Sequence, residues 1–137
     1  MSNKVISIVT TTYQDVEHLK KVVEGIKKQD YPRIEYIIVD GGSKDGTVDY
    51  LKELEKDFSY GWPERRVRWI SEKDEGIYDA LNKGIRMATG DLIGPMFDQF
   101  ANPHVLSDMV SVIEEEDSDG VHGDLYYVDE EGNPVRE

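Results

Sequence analysis

Cysteine is absent from these 137 residues, so neither a disulfide framework nor a thiolate metal site can be built. That fits a reducing compartment, and a cytoplasmic setting is the expectation. Long apolar runs are missing too. The first, Val5–Val9, is too short for the core of a secretory signal. Nothing nears the roughly 20 residues that span a bilayer. Basic residues are scarce: 16 Lys and Arg face 29 Asp and Glu, for a formal net charge of −13. Such a surface repels a phosphate backbone, which excludes nucleic acid as a partner. Much of the acidity is local, since Glu114–Glu137 carries ten acids and one base. That tail reads as a solvated face, so an acidic site has to be argued from position and not from the total. Two phosphate-binding signatures are also missing. "GGSKDGT" is not G-x-x-x-x-G-K-[ST], and no G-x-G-x-x-G follows a strand. His18, His104 and His122 show no metal-ligand spacing and read as surface or packing residues. No Ser or Thr has the surroundings of a hydrolase triad.

What the sequence does contain is alternation. Val5–Thr10, Ile34–Val39, Val67–Ile70 and Leu92–Met96 are short, apolar and largely β-branched, as buried strands are. Between them lie segments of helical period. Val16, Leu19, Val22, Val23 and Ile26 mark the first, with Asp15 as its N-cap and lysines at its end. Val48, Leu51, Leu54 and Phe58 mark the second, Ile77–Ala88 the third and Val105–Ile113 the fourth. Phe58–Arg66 reads as a loop, and Gly120–Val128 begins another extended segment. "DEEGNP" resembles a turn entering one more strand, so the domain is expected to be truncated there. Strand alternating with helix four times predicts a single α/β domain with a mostly parallel sheet and helices on both faces.

Open sheets of this class bind ligands beyond the carboxyl ends of their strands. Thr11, Thr12 and Tyr13 follow the first strand; Asp40, Gly41 and Gly42 follow the second. Glu72 and Asp74 follow the third, and Asp98 follows the fourth. One edge therefore collects an aromatic ring, hydroxyls and carboxylates, with almost no cationic lining. Asp40 fits either of two roles: accepting a hydrogen bond from a base or ribose, or ordinary turn chemistry with Ser43 or Asp45 capping the next helix. Asp74, Gly76 and Asn82 lie at or near a helix start, where an anion or ribose can be met. As a bare helix, that segment leaves Tyr78, Asp79, Asn82 and Lys83 as surface decoration.

The text resembles glycosyltransferase family 2, enzymes of the Rossmann-like GT-A fold. The matching stretches are "SIVTTTY", "IIVDGGSKDGT", "SEKDEGIYDALNKGI", "ATGDLIG" and "GDLYYVDEEGN", in family order across nearly the whole chain. The resemblance implies that residues 1–137 form the part that binds a nucleotide-sugar donor, commonly a UDP-sugar. It implies that Thr12 and Tyr13 flank the base and that Asp40 hydrogen-bonds it. It places Asp74 and Asn82 along the donor nucleotide, while Gly41 and Gly42, as glycines, would let the backbone approach it. Transfer would be inverting, to a saccharide or lipid-linked acceptor, the latter at the inner face of a membrane. Family members carry a D-x-D-like metal motif where this chain reads "GPMFDQFANP". Aligned from the left, its acids fall on Gln99 and Phe100; aligned from the right, Asp98 takes the last aspartate's place. We adopt the second, because it keeps one carboxylate at the strand end for Mg²⁺ or Mn²⁺. The family's catalytic base lies beyond the matched text, and no residue here is assigned to it. A non-catalytic nucleotide-sugar-binding module is the alternative. A nucleotidyltransferase would need a glycine-rich, basic loop after the first strand. A phospho-receiver would need paired acids there, and "TTTYQD" offers neither.

Overall fold

The computed structural model describes residues 3–98, 100 and 102–116, with the strands Tyr126–Val128 and Pro134–Arg136. Four strands, β1 (Ile6–Thr12), β2 (Ile34–Asp40), β3 (Arg66–Ser71) and β4 (Leu92–Pro95), form one parallel sheet in the order β3-β2-β1-β4. The crossovers are α1 (Val16–Lys27), α2 (Thr47–Asp57) and α3 (Ile77–Met87), and α4 (Val105–Glu116) follows β4. The last two strands, β5 (Tyr126–Val128) and β6 (Pro134–Arg136), pair antiparallel with each other. The further strand expected after "DEEGNP" is β6, and the turn residues themselves lie outside the described residues.

Strand periodicity divides the core in two. Ile6, Ile8, Tyr36 and Ile38 point to one face, where Leu19, Val22, Val23 and Ile26 of α1, Leu51 and Leu54 of α2, and Leu106 and Val110 of α4 cover them. Val9, Ile37 and Val39 point to the other face, under Ala80 of α3. Every residue of β2 is buried, which explains a nearly continuous apolar run where a half-exposed strand would alternate. α3 comes close to the sheet because position 84 is glycine. A Cβ there would lie 2.3 Å from Val9 Cγ1, closer than two carbons can approach.

The predicted start of α1 holds: Asp15 is the N-cap and accepts from His18 N at 3.3 Å. Its C-terminus is closed by a residue that the sequence reading left in a loop. Arg65, 2% exposed, donates to the carbonyl of Lys27, which the helix end leaves without a partner, and to those of Gln29 and Tyr31 in the turn beyond. Burial brings its guanidinium down to about 10, so it remains charged at neutral pH.

The turn after α1 also clasps the start of α4. Asp30 N donates to Pro103 O at 2.9 Å, and Gln29 Oε1 accepts from Leu106 N at 3.1 Å. His104 Nδ1 meets Asp30 Oδ2 at 2.5 Å. This hydrogen bond raises the imidazole above its ordinary value and lowers the carboxyl below its own. The sign follows from linkage. The His104 contribution is complete below the unfolded histidine value and is lost as pH rises through the higher folded value. The Asp30 contribution is lost only when pH falls through its lowered value. Thermal melts from pH 6 to 9 are expected to show a decline in the unaltered chain that His104→Gln lacks. Parallel profiles would count against the clasp.

Candidate functional site

Because all four strands run the same way, the segments after them share one edge of the sheet. Thr12 and Asp40 are register partners at that edge, and Val9 aligns with Pro95. The loops are stitched together across large sequence distances. Gly41 N donates to Thr12 O at 2.9 Å, and Glu72 N donates to Asp40 O at 3.0 Å. Gln14 N donates to Ser43 Oγ at 2.7 Å, and Val16 N to Asp45 Oδ2 at 3.1 Å.

Asp40 sits beneath this rim rather than on it. The residue is fully buried. Its Oδ1 accepts from Ser43 Oγ at 2.5 Å, and its Oδ2 from Ser43 N at 2.9 Å and Ser71 Oγ at 2.7 Å. Both oxygens are thus taken by the chain itself, and in this conformation the carboxylate shapes the loop that carries Gly41. The expected caps of α2 change as well. Gly46 is the N-cap and gives no side-chain bond; Asp45 instead accepts from Thr47 N and Thr47 Oγ1. The Thr47 hydroxyl chiefly holds the Asp45 carboxyl below its ordinary value.

Above Asp40 three residues meet. A Cβ built on Gly41 would lie 2.9 Å from Asp74 Oδ2 and 3.1 Å from Tyr13 Cδ1. Gly41 is therefore closely flanked by an aromatic ring and a carboxylate, an arrangement we read as the floor and walls of a cleft. Tyr13 is 64% exposed. Asp74 is fixed by Gly76 N, which donates to its Oδ1 at 3.0 Å. Thr12 is half-buried and supplies the carbonyl that holds Gly41. Asn82 does not join them: it is exposed, on the side of α3 away from the buried Ala80 and Gly84.

Two residues read as surface decoration prove to brace the rim. Lys83 Nζ lies 3.2 Å from Glu72, 3.5 Å from Asp79 and 3.2 Å from the Lys73 carbonyl. Asp79 Oδ2 in turn accepts from Glu75 N at 2.9 Å, the contact that chiefly lowers its carboxyl. Partial burial opposes the lysine's charge, yet Glu72 and Asp79 outweigh it and raise its value. The i, i+4 spacing of Asp79 and Lys83 was the available signal; the link to Glu72 had none. A cation thus stands at this edge, where the sequence showed almost none.

Asp98, half-buried, follows β4 on the other side of β1. Among the described residues, no group of three or more His, Cys, Asp or Glu side chains is placed to hold a metal. One carboxylate fits a divalent ion only together with phosphate oxygens and water, the usual arrangement for Mg²⁺ at nucleotides. His122 lies outside the described residues. No helix among them is long and apolar enough to cross a membrane.

The sequence profile described as glycosyl transferase family 2 matches residues 7–137. The chain belongs to that family. A glycosyltransferase of Mycobacterium tuberculosis, itself uncharacterised, is 38% identical over 111 residues, covering 79% of this chain and 39% of the relative. Glycosyltransferase GlyG of Streptococcus pneumoniae is 31% identical over 134 residues, 96% of this chain and 42% of that one. The chain therefore spans about two fifths of the length of these relatives. Among solved structures, TarS of S. aureus in complex with UDP-GlcNAc superimposes with a TM-score of 0.70 at 21% identity, over 83% of this chain and 32% of TarS. The mannosyltransferase PcManGT of Pyrobaculum calidifontis, in complex with GDP-Man and Mn²⁺, gives 0.68 at 22%, over 82% and 33%. The fold is the GT-A fold, of which this chain carries a part.

Proposed function

We propose that residues 1–137 bind the nucleotide of a sugar donor, a UDP-sugar first of all, in the cleft of Tyr13, Gly41 and Asp74. The meeting of these three residues at the Gly41 floor carries the reading. Tyr13 offers a face on which a base can stack. Gly41 lets the ligand approach the backbone, and Asp74 accepts from a ribose hydroxyl or base N–H. Asp40 and Thr12 set the height of that floor, while Lys83 holds the loop bearing Asp74. Asn82, exposed on the far side of α3, is given no part in this cleft. Asp98 faces the diphosphate from the β4 side.

A divalent Mg²⁺ or Mn²⁺ shared between Asp98 and the phosphates would neutralise charge on the leaving nucleoside diphosphate. Acids dominate this edge, so a bare diphosphate would be repelled by it. In the full-length protein, an acceptor hydroxyl attacks the anomeric carbon from the face opposite the nucleotide. The anomeric C–O bond to the diphosphate breaks, and a carboxylate base takes the hydroxyl proton, giving inversion. The acceptor is a saccharide or a lipid-linked one, with transfer on the cytoplasmic side, at the membrane for a lipid-linked acceptor. The single carboxylate after β4 favours a second reading, a binding module without turnover; transfer of labelled sugar by the full-length protein separates the two.

Calorimetric titration with UDP, GDP and ADP, each with and without Mn²⁺, tests the site. UDP is expected to bind best, and Tyr13→Ala to weaken it about tenfold, in line with base–aromatic stacking. Equal and negligible heats for all three nucleotides would remove the assignment.

A further inference from the structure

The backbone leading into Asp98 is held from two directions. From the core, the Tyr36 hydroxyl donates to Thr10 Oγ1 at 2.9 Å, and Thr10 Oγ1 donates to the Met96 carbonyl at 2.7 Å. Tyr36 is fully buried, and burial pushes its phenol far above the ordinary value, so it keeps its proton. From α1, His18 Nε2 lies 2.8 Å from the Phe97 carbonyl oxygen. A carbonyl only accepts, so in this contact Nε2 carries the hydrogen. Two consecutive carbonyls are thereby pinned, and Asp98 is the next residue. The N-terminal side of α1 is tied in turn to the loop after β2, through Gln14 N to Ser43 and Val16 N to Asp45. The helix therefore connects the Tyr13 side of the cleft to the Asp98 side.

We propose that His18 is a positioning residue for Asp98: by holding the Phe97 carbonyl, it fixes the one carboxylate that the end of β4 offers to a diphosphate and its divalent cation. The inference rests on the reading of Asp98 given above. A site with two carboxylates can share a displaced ion between them. A site with one has no such reserve, so a small shift of its backbone goes straight into the metal–oxygen distance.

The test is calorimetry of UDP binding to the full-length chain, with and without Mn²⁺, for three variants. His18→Phe keeps a ring and removes the donor, His18→Gln restores a donor, and Asp98→Asn removes the carboxylate charge. His18→Phe is expected to cut the Mn²⁺-dependent gain in UDP affinity about two- to tenfold, the value of one hydrogen bond. Metal-free affinity stays unchanged, the melting temperature falls by at most a few degrees, and His18→Gln recovers part of the gain. Amide exchange at Phe97 and Asp98 quickens in His18→Phe. If that variant keeps the full gain while Asp98→Asn loses it, His18 has no such role and the reading of Asp98 stands. If Mn²⁺ has no effect on the unaltered chain, or its effect survives Asp98→Asn, the reading of Asp98 fails and the inference with it. An equal loss of metal-free affinity in His18→Phe would make the contact merely structural and overturn the proposal.

Discussion

Glu35→Leu is expected to cost about 1–3 kcal/mol of stability while leaving the strand-end rim in place, because it takes the acceptor away from buried donors that remain. Glu35 is fully buried at the amino end of β2, the opposite end of the sheet from the cleft. Its Oε1 accepts from Ser7 Oγ at 2.7 Å and Thr89 N at 2.8 Å. Its Oε2 accepts from Thr89 Oγ1 at 2.8 Å and faces Arg66 at 3.0 Å and Arg68 at 3.4 Å. One side chain thus joins β1, β2, β3 and the turn between α3 and β4. The arginines are 63% and 40% exposed, so they contribute modestly and can turn to water when the carboxylate is gone. The buried Ser7 hydroxyl has no such recourse.

The same site sets an acid limb. Burial pushes the Glu35 carboxyl up, but the Thr89 N–H, the Ser7 and Thr89 hydroxyls and the Arg66 charge outweigh it and bring it from 4.5 to about 2. The folded value lies below the unfolded one, so the stabilisation is complete above about pH 4.5 and is lost as pH falls through 2. Its size, on the order of 3 kcal/mol, is a large share of the 5–15 kcal/mol typical of a domain. Urea melts at pH 7, 4 and 3 should show the decline in the unaltered chain and a flatter profile in Glu35→Gln. Identical profiles would mean that the network does not hold the sheet.

Much of the scaffold could be read from the text because it is local. Leu19, Val22, Val23 and Ile26 declare a helix by spacing alone, and four strand–helix alternations leave little choice but parallel strands. What escaped was fixed by partners far along the chain. Asp40 is held by Ser43, within the turn chemistry the text left open, and by Ser71, 31 residues away, which nothing nearby announces. His18 reads as a surface histidine until the end of β4, 79 residues on, is brought beside it. Glu35 offered a faint signal, a lone acid in an otherwise apolar strand, with Arg66 and Arg68 two apart to meet it. The candidate site was legible in type, since aromatic, glycine and acids follow consecutive strands. It was not legible in depth: sequence order cannot say which acid lines the cleft and which lies beneath its floor.

Gly41 turns that distinction into a measurement. Gly41→Ala is expected to weaken UDP binding about tenfold, and Gly41→Val at least about a hundredfold, with little change in melting temperature. Gly41 is not among the residues with positive φ, so a side chain at this position brings no backbone strain. The added Cβ meets only the cleft walls, Asp74 Oδ2 at 2.9 Å and Tyr13 Cδ1 at 3.1 Å. Tyr13 is exposed and can swing outward, which spares the fold. Doing so takes away the ring on which the base would stack. Asp74, held by Gly76 N, yields less readily, so valine's two methyl groups fill the space between the walls. Loss of binding with stability intact is what a ligand cleft at this point requires. Unchanged UDP affinity in Gly41→Val would place the nucleotide elsewhere, and a steep fall in melting temperature would show the three residues to be packing.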